Sequence, residues 1–118
     1  MRKPPLRQSF LNAFRGIFMM IRSERNFRLE AAAFLINLFL IFYLSLSTPD
    51  AVLILLVSSG VLAAEIFNTA IEKICDIIRP EFDPRIGFIK DIAAGAVLLM
   101  ALISAITGVL VYWKYFFI

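Results

Sequence analysis

Residues 65–76 read Glu-Ile-Phe-Asn-Thr-Ala-Ile-Glu-Lys-Ile-Cys-Asp and follow directly on the apolar run Ala51 to Ala64, with no break at the junction. One helix therefore carries three carboxylates and an amide out of a segment apolar enough to lie in a membrane. At about 100° per residue, Glu65, Asn68, Glu72 and Asp76 fall within an arc of about 80° and point into the same space. Ile66, Phe67, Ile71 and Ile74 occupy the other faces. An ionisable group in a bilayer costs about 2.5–3.5 kcal/mol on insertion scales, so a cluster of them marks a functional site. Asp76 alone reads as a solvated charge on a helix leaving the membrane; Glu65, with Asn68 and Glu72 on its own face, does not.

The rest of the chain sets the frame around this stripe. It has 118 residues, 61% of them hydrophobic, and a mean hydropathy of +0.86; an ordinary soluble domain is only about half apolar. An all-α integral membrane protein of one domain is expected. Ala31 to Thr48 and Ile92 to Trp113 are continuous apolar runs, each close to the roughly 20 residues that cross a bilayer as a helix. The runs do not alternate, which excludes a β-barrel. With no His and a single Cys75, His/Cys zinc sites, Ser-His-Asp triads and intrachain disulfides are excluded. Cys75 reads as a packing residue. The chemistry left belongs to carboxylates, amides, Lys and Arg, a set suited to a hard cation such as Mg²⁺ and the phosphates it carries.

Leu6, Phe10, Phe14, Ile17, Phe18 and Ile21 recur at helical spacing with Arg7, Gln8, Asn12, Arg15 and Arg22 on other faces, predicting an amphipathic surface helix over 6–24 in the headgroup region. Three spans are expected at 28–48, 51–78 and 88–113. Ser47-Thr48-Pro49-Asp50 is too short for anything but an antiparallel connection, and residues 79–85, with Pro80, Pro84 and several charges, form a polar loop. Tyr112, Trp113, Tyr115, Phe116 and Phe117 form an interfacial belt. The first long apolar run starts some thirty residues in and two more follow it, so it reads as a span and not as a cleaved signal. Seven of the twelve Lys/Arg lie at or before Arg28, and Arg79, Arg85 and Lys90 flank the second connection. The positive-inside rule then puts the amino terminus and the 79–90 loop in the cytoplasm, where ATP is. Ala101, Ser104, Ala105 and Gly108 make a stripe of small residues of the kind that lets membrane helices approach closely. Three helices can hardly enclose both a polar site and a lipid, so an oligomer with shared sites is expected.

Glu24 and Glu30 bracket the junction between surface helix and first span, and Lys90 and Asp91 stand at the start of the third. All should meet Glu72 and Asp76 at one membrane boundary. Carboxylates holding Mg²⁺, a Lys on phosphate and a carboxylate that accepts a hydroxyl proton would make a kinase site. No Gly-rich phosphate loop of the soluble kinds is present.

The pattern resembles the small prokaryotic membrane lipid kinases, the diacylglycerol kinase and undecaprenol kinase family. The resemblance rests on Glu65-x-x-Asn68-Thr69-Ala70-Ile71-Glu72 with Asp76, on Lys90-Asp91-x-Ala93-Ala94-Gly95-Ala96-Val97, and on Glu24-Arg25-Asn26-Phe27-Arg28. It implies a homotrimer of three-span subunits in the inner membrane, with ATP and a lipid alcohol bound at subunit interfaces and no nucleic-acid partner. By the same resemblance Glu24 and Glu72 would hold Mg²⁺, Glu65 would be the base, Asn68 would orient reactants, Lys90 would neutralise phosphates, Asp76 and Asp91 would shape the nucleotide pocket, and Glu30 would line the polar site. Ala94 stands where the proteobacterial diacylglycerol kinase has Ser, and the Ala93–Val97 run and Glu24–Phe27 are more similar to undecaprenol kinases. Both lipids stay open at this point. The competing class is a small proton-coupled transporter, since a membrane Glu also couples protons to export; many carboxylates gathered with Lys90 at one boundary, and no internal repeat, argue against it.

Overall fold

The structure, a computed structural model, describes residues 2–117. Four helices and no strands make up the described residues: α1 (Leu6–Ser23), α2 (Arg25–Tyr43), α3 (Thr48–Ile78) and α4 (Pro84–Phe116). The last three are long and apolar enough to cross a membrane. α1 is strongly amphipathic, with Phe10, Phe14 and Phe18 all exposed, as a helix lying on a membrane surface requires.

The breaks follow local chemistry. Glu24 alone separates α1 from α2, with extended backbone at φ −115°, ψ 113°. α2 stops at Tyr43, and Leu44–Ser47 turn the chain, with Ser45 at φ 51°. Ser47 caps α3 by accepting the Asp50 N–H on its side chain at 3.4 Å, and Pro49 sits in the first turn, where its missing N–H removes no helical bond. Asp83 caps α4 in the same way, accepting from the Arg85 N–H at 2.9 Å just ahead of Pro84. Arg85 also donates to Asp83 from its guanidinium at 2.8 Å. That side-chain bond first, and the backbone bond second, hold the Asp83 carboxyl well below the usual carboxylate range.

α3 is the central element, packed most extensively on α4 and next on α2, while α1 packs on α2. The molecule measures 54 × 39 × 21 Å, a slab too thin to enclose a core. Ile54, Val61 and Cys75 of α3, Ala93 and Val111 of α4, Phe27 and Met20 are buried, whereas Leu35, Phe39, Leu56, Leu98 and Leu110 face outward. At Gly60 the end of the Met100 side chain of α4 packs against α3 in the space a Cβ would take. The small stripe is only partly covered inside the subunit: Ala101 and Ser104 are half-buried, but Ala105 is exposed and a Cβ at Gly108 would meet open space.

Helix order brings the start of α2, the end of α3 and the start of α4 to one end of the slab. The opposite end is closed by polar bonds. Asp50, only 9% exposed, accepts from Lys114 at 2.9 Å and from the Tyr115 hydroxyl at 2.8 Å, and the same hydroxyl accepts the Ser47 N–H at 3.0 Å. Tyr112 donates to Asn37 at 2.8 Å, joining α4 to α2.

Candidate active site

Glu65 is buried at 8% exposure inside α3. Among the described residues it has no ion-pair partner, and neither do Glu24, Glu30 and Glu72. Glu30, Glu72 and Glu24 all lie close enough to bear on the charge of Glu65. The fold thus gathers carboxylates from the α1–α2 elbow, from α2 and from α3 with no cation among them. Such a group is unfavourable for the empty protein and favourable for a cation that arrives with its ligand.

One turn beyond Glu65, Asn68 donates through Nδ2 to Glu72 at 3.1 Å. Its Oδ1 is buried and accepts nothing among the described residues. An orphaned buried acceptor is costly and calls for a partner; a hydroxyl donor in this space would supply one. One turn further out, Lys90 of α4 bonds Asp76 of α3 at 2.7 Å. This ion pair is half exposed, with the two side chains 37% and 60% accessible. Asp91 is exposed and takes part in no ion pair among the described residues. At about 1.5 Å of rise per residue, Asp76 lies about 16 Å along α3 from Glu65, with Glu72 between them.

Two hollows flank this line. One, of about 320 Å³, lies at the α3–α4 loop and is lined by Arg79, Glu81, Phe82, Asp83, Gly87 and Lys90 among others. The other, of about 490 Å³, lies between α1 and α3 and is mostly apolar; Gly16, Ile17 and Met20 face Ile66, Thr69 and Lys73 across it. Lys73 therefore faces away from the carboxylate stripe.

No three carboxylates or thiols among the described residues converge into a complete metal cage. The donor set fits a metal of the Mg²⁺ kind, which is held by one or two carboxylates and takes its remaining oxygens from substrate phosphates and water. Arg79, read in the sequence only as a charge flanking the second connection, lines the hollow at the α3–α4 loop; Arg28, read there only as part of the Glu24–Arg28 motif, bonds backbone carbonyls of α1, which leave no mark in the order of side chains.

Residues 11–112 match the prokaryotic diacylglycerol kinase family. The chain belongs to that family. It is 41% identical over 105 residues to the undecaprenol kinase of Bacillus subtilis (strain 168), covering 89% of this chain and 85% of that protein. It is 29% identical over 104 residues to the diacylglycerol kinase of Escherichia coli (strain K12), covering 88% and 85%, and 31% identical over 106 residues to that of Synechocystis sp. (strain ATCC 27184 / PCC 6803 / Kazusa), covering 89% and 61%. As a prokaryotic diacylglycerol kinase family member the protein is a membrane lipid kinase, an undecaprenol or a diacylglycerol kinase, with ATP as the phosphate donor and a lipid as the acceptor. The transporter alternative falls with this assignment.

Proposed function

We propose that this protein transfers the γ-phosphoryl group of ATP to the hydroxyl of a membrane lipid alcohol, undecaprenol in preference to diacylglycerol, at the cytoplasmic boundary of the inner membrane. The observation that carries the reaction is the line along α3: buried Glu65 at its deep end, the Asn68–Glu72 pair in the middle and the Lys90–Asp76 pair at the rim. The choice of lipid is supported by 41% identity to an undecaprenol kinase against 29% to a diacylglycerol kinase.

In this reading the lipid oxygen bonds the γ-phosphorus as the bond to the bridging oxygen breaks and ADP departs. Glu65 takes the hydroxyl proton. Asn68 orients the acceptor through its unpartnered Oδ1, and the apolar hollow beside α3 receives part of the lipid chain. Lys90 turns from Asp76 to the phosphates, a point charge moving between two anions; Asp76 and Asp91 shape the nucleotide pocket, and Glu30 completes the polar wall. Glu24 and Glu72 would hold Mg²⁺, which would supply charge neutralisation when bound.

Residues 1–118 act as one kinase domain, and the working unit is a homotrimer with sites shared between subunits. The open positions of the small stripe at Ala105 and Gly108 support this. The basic amino-terminal segment, the 79–83 loop and the start of α4 are cytoplasmic in this reading; Lys114, the one basic residue at the far end, is neutralised by Asp50. The test is phosphate transfer by purified protein in vesicles with Mg-ATP and a panel of undecaprenol, shorter prenols and diacylglycerol. A kcat/KM for diacylglycerol above that for undecaprenol would reverse the lipid assignment, and no transfer to any lipid alcohol would refute the reading.

A further inference from the structure

The junction between α1 and α2 is a sharp break at one residue, and that residue is Glu24. A helix end leaves its last four carbonyls without intrahelical partners. At the end of α1 the Met20 carbonyl accepts the Glu24 N–H at 2.9 Å. The next two are taken from the far side of the break: Nη1 of Arg28, one turn into α2, donates to the carbonyls of Ile21 and Arg22, both at 3.1 Å. The Arg28 N–H in turn donates to the Glu24 carbonyl at 3.1 Å. Buried Met20 and Phe27 anchor the two sides of the bend. Arg28 makes no ion pair among the described residues, so its guanidinium is committed to these carbonyls, whose partial negative charge at a helix C-terminus favours a cation.

We propose that Arg28 is a positioning residue that locks the α1–α2 elbow and thereby holds the Glu24 carboxylate toward Glu65. The inference rests on the reading of Glu24 as a metal-holding residue. Glu24 sits on the bend itself, its N–H bonded back into α1 and its carbonyl bonded forward into α2, so its direction follows the angle between the helices. Without Arg28 two helix-end carbonyls lose their donor, the bend opens to a range of angles, and the carboxylate is no longer pre-aimed. A Lys at this position retains a charged donor but not the planar fork of Arg, and restores part of the constraint.

The test pairs a structural readout with a kinetic one. Spin labels at Leu11 and Ile36, both exposed, are introduced in a Cys75→Ala background and labelled subunits are diluted with unlabelled ones, so that the distance reports the elbow within one chain. Arg28→Met should broaden the narrow distance distribution and raise the Mg²⁺ concentration for half-maximal activity by about tenfold, the lower range for removing a residue that orients a metal ligand, with the KM for lipid unchanged. Arg28→Lys should keep most of the narrow distribution and of the Mg²⁺ response, which also guards against a variant that fails to fold. An unchanged distance in Arg28→Met overturns the proposal, and so does a broadened distance with an unmoved Mg²⁺ curve. Glu24→Gln is measured alongside: if it leaves the Mg²⁺ curve unmoved, the fault lies in the metal role of Glu24, and the inference falls at that step and not at the elbow.

Discussion

Glu65→Gln separates chemistry from binding more cleanly than any other change at this site. The substitution keeps shape and hydrogen-bonding capacity but removes the proton acceptor. Glu65 lies about 16 Å along α3 from Asp76 and its partner Lys90, and about 10 Å from Glu72, at 1.5 Å of rise per residue. Nucleotide held at the rim should therefore be little affected. Loss of a general base typically costs 10²- to 10⁴-fold, which at about 1.36 kcal/mol per tenfold is roughly 2.7–5.5 kcal/mol of transition-state stabilisation. Stability should move the other way. Glu65 is buried, and Glu30, Glu72 and Glu24 bear on its charge without a counter-charge, so a neutral amide removes first the cost of burying the charge and second the repulsion, and raises the thermal midpoint. Binding is measured by titration with a non-hydrolysable ATP analogue in detergent, turnover by phosphate transfer to lipid, and stability by a thermal scan. If ATP affinity fell in step with turnover, Glu65 would be a metal or nucleotide ligand; if turnover were near normal, it would have no part in proton transfer.

Glu72→Gln should abolish turnover at physiological Mg²⁺ and leave the helical circular dichroism unchanged, since the Asn68 bond can be kept by the amide oxygen; near-normal turnover at low Mg²⁺ would remove its metal role. Lys90→Met should raise the KM for Mg-ATP more than that for lipid, because the only other nearby lysine, Lys73, lines the hollow against α1; nucleotide kinetics that do not change would leave Lys90 as no more than the partner of Asp76. Asp50→Asn, at the opposite end, should lower the thermal midpoint by weakening the bonds to Lys114 and Tyr115 while kcat at low temperature stays the same. A fall in kcat without a fall in stability would show that the far end communicates with the site.

The sequence by itself determined the helical class, the apolar spans and the carboxylate stripe, because each depends on periodicity or on run length along one helix. Glu65, Asn68 and Glu72 share a face whatever α3 packs against, and the Asn68–Glu72 bond spans a single turn. The two connections were legible from their prolines and charges, but not their bounds: α2 ends at Tyr43 where the first span was expected to reach 48, and α4 begins at Pro84 where the third was expected at 88, because the caps at Ser47 and Asp83 set where the helices begin. Only the tertiary structure decided the pairings between helices. Lys90 meets Asp76, and Lys114 meets Asp50 across 64 residues, because the order and lean of the helices bring those ends together, and no local pattern encodes a contact that crosses the slab. The elbow at Glu24 belongs to the same class. Its neighbours Arg25 and Arg28 look alike in the sequence as interfacial charges, and only the bend gives Arg28 two carbonyls to bind, since the acceptors are backbone atoms exposed by the break and carry no signature in side-chain order.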